Sequence, residues 1–283
     1  MKPTTAIFSL SLLAALCISC STGEKAVTLR LKSEPGTKTY FTTTFKGSAK
    51  GIEGDSITFD RSNELTILTE ETTRRIVDDS VAEILQTNFY KQRTVNHKDS
   101  SVIDTSFQGE ELIISLSPRG KLIDIEYASP EEKGDLTYMK NFIDQAWPVF
   151  PAEEVTVGQT WTQTSKIVHE DIPLQTSTMY RVTAFVREQG YDCVVIEYEG
   201  RLVIPIQPDP AKKDFISGVN RITLTGVCYH SYTEGVFVLQ REKRVIDGDR
   251  RMYRDGIAVS SKTKAEYDVE LVLTKREKSV TST

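Results

Sequence analysis

Histidine occurs three times, cysteine four times and tryptophan twice in 283 residues. His97, His169 and His230 have no second histidine or cysteine three or four residues away, so the spacing of a zinc site is missing. There is no Gly-x-Ser-x-Gly elbow, no Walker loop, and no Gly-rich fingerprint following a strand, which removes the commonest hydrolase, nucleotide and dinucleotide signatures. Basic residues do not predominate: 35 Lys and Arg face 40 Asp and Glu, for a formal charge of −5. With no compact Lys/Arg run, nothing concentrates a phosphate backbone, and nucleic acid is excluded as an expected partner. The 39% hydrophobic and 27% charged content fits neither a multispan membrane protein, a coiled coil nor a disordered chain.

What is present begins with an address. Lys2 is followed by an uncharged, largely apolar run from Ala6 to Ile18, then Ser19 and Cys20. This is the layout of a secretory signal, and the run is too short to span a bilayer permanently. Its end resembles the lipobox of bacterial lipoproteins, although Cys17 stands where leucine is commonest. The resemblance implies cleavage before Cys20, lipidation of its thiol, and a palmitate-like acyl anchor; the alternatives are an ordinary cleaved signal with an incidental cysteine and an uncleaved N-terminal anchor. Several buried acyl chains, at about 0.8 kcal/mol per methylene, would hold a body to the membrane that one chain holds only transiently. Ser21 is not the aspartate that retains such proteins at the inner membrane, so the expected place is the cell envelope, at the outer rather than the inner membrane.

After the cut, Cys193 and Cys228 remain in an oxidising compartment. Both lie in strand-like runs, YDCVVIEY and TLTGVCYHSY. They could form one bridge between neighbouring strands or stay as two buried thiols.

The body reads as a succession of period-two strands. From Ile257 to Leu273 the odd positions include Val259, Ala265, Tyr267, Val269 and Leu271, and the even ones Lys262, Lys264, Glu266, Asp268 and Glu270. One face is expected to be buried and the other wet, with a bend at Ser261–Thr263 because the run exceeds an ordinary strand. Features of the first half recur roughly 120 residues later, the mark of a duplicated unit: Gly36 and Gly158 each stand four residues before an aromatic, Tyr40 and Trp161, and Gly120 and Gly235 each divide two strands. Between the halves, Ser129-Pro130-Glu131-Glu132 has capping-box spacing, and Leu136, Met139, Phe142, Ile143 and Trp147 follow at helical intervals up to Pro148; Gly134 weakens the first turn, so the firm part is expected to begin near Asp135. This helix is expected to dock on the concave side of a curved sheet.

The segment WPVFPAEEVTVGQTW at 147–161 resembles a signature of a family of β-rich bacterial lipoproteins of uncharacterised function, carried here by Phe150, Pro151, Val155, Val157, Gly158 and Trp161. That family implies no activity that could be transferred. More distantly, strands wrapping a helix are similar to the half-barrels of lipoprotein carriers, a likeness of architecture only.

Catalytic constellations are weak. Gly47-Ser48-Ala49-Lys50-Gly51 has its serine one place early, and Ser261 and Lys264 have odd separation on a strand and so face opposite ways. Glu110-Glu111, Glu131-Glu132 and Glu153-Glu154 read as solvated charges, and His230 as a hydrogen-bonded strand-end residue. The stretch IDGDRRMYRDG, with Asp247, Asp249 and Asp255, reads as a salt-bridged hairpin loop, since its arginines oppose a cation.

The expected architecture is therefore mainly β: two related curved antiparallel sheets with one linking helix. Its parts are a signal peptide (1–19), a lipid-anchored tether (20–26), a first β-rich repeat (27–128), the helix (129–148), a second repeat (149–276) and a polar tail (277–283). The expected role is non-enzymatic, without metal or cofactor. A concave apolar face bearing Phe142, Trp147, Trp161, Tyr229 and Phe237 would bind a hydrophobic ligand or an envelope protein segment. The alternatives are a structural module with a filled core and, further off, an unrecognised hydrolase.

Overall fold

The computed structural model describes residues 25–77, 81–129, 131, 134–169, 172–207, 215–254 and 257–278. Cys20 and the signal lie outside the described residues. The first half contains β1 (Lys38–Glu53), β2 (Ser56–Val77), β3 (Val81–Asn96), β4 (Ser101–Gln108), β5 (Leu112–Leu116) and β6 (Leu122–Tyr127). Helix α1 (Thr137–Ala146) follows, and then β7 (Thr160–His169), β8 (Ile172–Glu188), β9 (Tyr191–Ile206), β10 (Phe215–Ser231), β11 (Val236–Arg254) and β12 (Ile257–Glu277).

The fold is mainly β, as expected, but the halves do not form two sheets. All strands join one 12-stranded sheet in the order β6-β5-β3-β2-β1-β12-β11-β10-β9-β8-β7, with β4 beside the far end of β3. The seam is the antiparallel pairing of β1 with β12, which runs the whole length of β1 and leaves no free edge between the halves. The opposite seam, between β6 and β7, is open and occupied by α1, which touches both edge strands. Because β4 and β5 share one edge of β3, the sheet is eleven strands across and would measure about 50 Å if flat, at about 4.8 Å per strand. Both its edges reach one ten-residue helix, so it curls around α1 without closing.

The same backbone device starts each half. Gly36 (φ 81°) donates its N–H to the Thr73 carbonyl at 2.8 Å, and Thr73 donates back to Thr37 at 3.0 Å. Gly158 (φ 91°) donates to Val182 at 2.8 Å, and Val182 donates back to Gln159 at 2.9 Å. Each acceptor stands at a register shift, Thr73/Arg75 in one half and Val182/Ala184 in the other. Gly120 and Gly235 both stand in turns, as expected, and take positive φ there. The segments that enter the halves also cross over. Phe150 donates to Arg119 at 2.9 Å in the first half's turn, and Lys32 donates to Gly235 at 3.0 Å in the second half's.

Two local expectations are corrected. The helix begins at Thr137, with the Asp135 carboxylate accepting from the Thr137 N–H at 2.8 Å, so the Ser129 capping box does not start it. Pairing through Ser261–Thr263 is regular on both sides of β12, and the irregularity falls at Thr274 instead, between the Tyr40–Lys275 and Phe41–Leu273 pairs. No described helix is long and apolar enough to cross a membrane.

Candidate functional site: the inner face of the sheet

We call the face that meets α1 the inner face. One end of it is a built core. Phe150, Leu29 and Val155, from the segments that enter the halves, are fully buried against Val182, Val194, Ile196, Cys228 and Phe237. Ile143 of α1 packs with Leu112, Ile114, Leu122 and Ile125, and Trp147 bridges to Phe237, with ring centroids 4.5 Å apart. His230 is wholly buried between the rings of Phe150 and Phe237, with its Nε2 3.1 Å from the Arg30 carbonyl. Loss of water pushes its pKa down to about 3, so the ring is neutral.

Two small cavities remain under α1. One, of about 120 Å³, is lined by Phe41, Ile67, Met139, Trp147 and Leu271; the other, of about 70 Å³, lies beside it under Leu31 and Leu116. Both fall below the several hundred Å³ of a typical small-molecule pocket. Two polar chains border the larger one. Thr69 donates to Asn88 (2.7 Å), Asn88 to Gln86 (3.2 Å), and Gln86 to Glu71 (2.9 Å), whose carboxyl burial raises above the ordinary range. Opposite, Gln240 donates to the Tyr198 hydroxyl (2.7 Å), Tyr198 to Glu242 (3.0 Å), and Arg244 pairs with the same carboxylate. These groups line the cavity but are paired with one another.

Beyond Glu242 the strands continue, but their cover stops. Period-two alternation carries the inner face from Tyr198 to Leu202, from Glu242 to Ile246, from Val269 to Ala265 and from Phe45 to Ala49. Direct pairing then lays Leu202, Ile222, Ile246, Ala265 and Ala49 side by side across five strands. Leu224 and Tyr267 flank this row on one side, Ile204 and Phe59 on the other. Leu224 packs against the edge of the main core cluster and Ala265 is buried; the others belong to no core cluster and are partly exposed. Among the described residues no helix or segment lies over them.

The outer face is different in kind. Lys46–Glu64 (3.0 Å), Arg221–Asp249 (2.7 Å), Arg241–Glu270 (2.9 Å) and Lys243–Glu266 (3.1 Å) are exposed cross-strand pairs, each of which contributes about 0–1 kcal/mol. An open groove of about 950 Å³ on this face is lined by the same alternating charges. Met179 and Val227 stand among those charges, so the groove is mixed in character and open to water.

The residues singled out from sequence separate accordingly. Trp147, Trp161 and Phe237 belong to the covered core, where Trp161 stacks on Tyr180 (5.2 Å) and donates to the Val149 carbonyl (3.1 Å). Tyr229 packs with Cys193 in a separate cluster and does not join them. The side chain of Phe142 lies outside the described residues. The expected ligand-facing aromatics are therefore not gathered at one open surface. The Cys193–Cys228 bridge does not form: Cys193 pairs with Ser231 and Cys228 with Ile196, three residues along β10 and on opposite faces. That is about 10 Å along the strand, beyond disulfide reach. Burial instead pushes the two thiols up to about 11 and about 12. The expected IDGDRRMYRDG loop is mostly strand, since β11 runs on to Arg254, and Asp249 pairs with Arg221. Ser261 and Lys264 stand on opposite faces of β12, as their spacing implied. Among the described residues no group of three or more His, Cys, Asp or Glu could hold a metal.

No protein-family model matches the chain, and no curated protein matches it in sequence. Solved structures do resemble it in shape. Lipovitellin, in a structure titled for lipid–protein interactions, matches with a TM-score of 0.50 at 9% identity over 89% of this chain, which spans 26% of the lipovitellin chain. An outer-membrane channel from Pseudomonas putida F1 and the β domain of the Bordetella autotransporter BrkA match at 10% and 9% identity over 86% and 82% of this chain. Both have a TM-score of 0.26, too low to indicate a common fold. The likeness to lipovitellin is one of fold, a large curled antiparallel sheet.

Proposed function

We propose that this chain is a non-enzymatic envelope lipoprotein, held to the membrane through Cys20, that cradles the acyl chain of a lipid on the uncovered part of its inner sheet face. The observation that carries the reading is the aliphatic row Leu202–Ile222–Ile246–Ala265–Ala49, continuous across five strands, on a sheet whose other face intersperses its exposed hydrophobics, such as Val203 and Met179, with ion pairs. Neighbouring sheet strands satisfy each other's backbone groups there, so the row offers a guest only apolar side chains. That suits a hydrocarbon better than a peptide, whose own amides would need partners. The fold shared with lipovitellin, titled for its lipid–protein interactions, is compatible with this use of a curled sheet.

Its strength can be bounded. A chain lying on one face buries about half its surface, so each methylene contributes roughly 0.4 kcal/mol and a fifteen-methylene chain roughly 6 kcal/mol. Before ordering costs, that corresponds to a Kd of tens of micromolar at about 1.4 kcal/mol per decade, which fits exchange rather than storage.

The test is to add a diazirine analogue of palmitic acid to membranes from cells expressing the full chain, irradiate, and map the adducts. Adducts at inner-face side chains of residues 200–206, 216–224 and 246–252 are expected. Adducts confined to the outer face or to the covered end would overturn the reading. A parallel culture fed alkyne-palmitate should label the wild type and leave Cys20→Ala unlabelled.

A further inference from the structure

Near the free end of the trough, four inner-face positions form a square. Asn220 pairs with Gly248, and Gly218 pairs with Arg250, so two side chains alternate with two glycines. The glycines are required by crowding. A Cβ at Gly218 would stand 2.2 Å from the Asp249 carbonyl oxygen, and one at Gly248 2.7 Å from Asn220 Oδ1. The result is a polar notch in which the Asn220 amide lies over Gly248, with Thr263 Cβ 3.2 Å from the same point, the Asp249–Arg250 backbone closes on Gly218, and the Arg250 guanidinium stands diagonally from Asn220, about 7–8 Å away at the backbone.

One atom of each polar side chain is unpaired. Arg250 Nε and Asn220 Oδ1 are buried and have no hydrogen-bond partner among the described residues. Leaving such atoms unpaired is costly, and native proteins seldom do so without a reason. The other inner-face arginines are occupied: Arg244 pairs with Glu242, and Arg61 lies over the Phe59 ring at 5.1 Å. Arg250 has no described carboxylate partner, and from it the apolar row at Ile246 lies four residues along the same strand, about 13 Å.

We infer that the guest of this trough is an anionic, single-chain amphiphile whose head group is held in the notch by Arg250, with Asn220 as a second contact, while its chain runs over Ile222 and Ile246. This rests on the trough being a lipid cradle and adds the class of lipid. A guanidinium supplies two parallel N–H donors to a carboxylate or phosphate, and the Asn220 amide can turn either its donor or its acceptor to the head group.

The experiment compares diazirine palmitic acid with the matching diazirine fatty alcohol on membranes carrying the full chain, in wild type, Arg250→Gln and Arg250→Lys. A soluble fluorescent phosphate ester without a chain serves as the third probe. The acid should label the trough about tenfold more than the alcohol. Arg250→Gln should abolish that preference, leaving alcohol labelling unchanged, and Arg250→Lys should keep most of it. Equal labelling by acid and alcohol, unaltered in Arg250→Gln, would overturn the head-group assignment and leave the cradle standing. Absence of both probes from the trough would overturn both. Saturable binding of the chainless ester that Arg250→Gln removes would make the notch a free-anion site and overturn the amphiphile. Unchanged alcohol labelling in Arg250→Gln shows that the variant is folded.

Discussion

Ile196 and Ile222 stand on the same inner face, on neighbouring strands β9 and β10, yet one is sealed and the other is not. Ile196 has no exposed surface and belongs to the main core, whereas Ile222 is partly exposed with nothing described above it. Replacing either with alanine removes three carbons, about 2.4 kcal/mol of transfer free energy at full burial. At Ile196 the cavity left behind adds to this, for a total of about 3–4 kcal/mol. At Ile222 roughly half the transfer term applies and water fills the gap, so the loss should be about 1 kcal/mol. Urea unfolding of the two variants should show this as different midpoints with an unchanged m-value. By heat the shifts should be about 10 °C for Ile196→Ala and about 3 °C for Ile222→Ala. In the cross-linking assay the order should reverse, with Ile222→Ala losing label while still folded. Equal destabilisation by the two substitutions would mean that Ile222 is a core residue, and the open trough would be refuted.

His230 has its pKa lowered from 6.5 to about 3, so the unfolded chain binds its proton first as pH falls. Its contribution is whole above pH 6.5 and is lost progressively down to pH 3, roughly 2 kcal/mol by pH 5. His230→Phe, which keeps a ring between Phe150 and Phe237, should lose this part of the pH dependence; an unchanged slope would contradict the buried neutral ring. Cys193 and Cys228 should resist iodoacetamide in the folded protein and be alkylated individually once it is unfolded without reductant. A Cys193–Cys228 cross-linked peptide would contradict the pairing register. Gly235→Ala, at φ 62° with a Cβ 2.4 Å from the Lys32 backbone nitrogen, should destabilise by about 2 kcal/mol or more, while Gly54→Ala, in open space at φ 59°, should cost about 1 kcal/mol. Similar values for both would show that the crossed contact between the halves contributes nothing.

Sequence period was a sound guide wherever the signal was local. The alternation of β12 is realised, with Ala265, Val269 and Leu273 buried and Lys264, Glu266 and Asp268 exposed. The four turn glycines sit at positive φ, where a side chain is disfavoured. Pairing between β1 and β12 was not legible, because nothing in either strand says which edge its partner comes from, so one sheet looked like two. The helix start was legible in part: the capping-box spacing at Ser129 and Glu132 does not open it, but the start near Asp135 that Gly134 implied lies within two residues of Thr137, where it begins. The candidate site failed for a related reason. Trp147, Trp161 and Phe237 are large, and large aromatics are drawn to a core, whereas Leu202, Ile222 and Ile246 have the same alternation as covered strands. Which rows receive a lid is decided by where α1 and residues 147–155 end in space, and period carries no trace of that. Asn220, Gly218, Gly248 and Arg250 gave a signal only once their register was known.

The central claim, that an acyl chain lies on the uncovered inner face, is tested most directly by fluorescence quenching with a brominated fatty acid. Tryptophan would be placed at Ile222 in one variant and at Val203 in another, where the side chain is 54% exposed on the outer face. Quenching of the tryptophan at 222, saturating in the tens of micromolar, with the one at 203 and the native Trp147 and Trp161 unaffected, is the predicted result. Equal quenching at both faces, or none at 222, would contradict it.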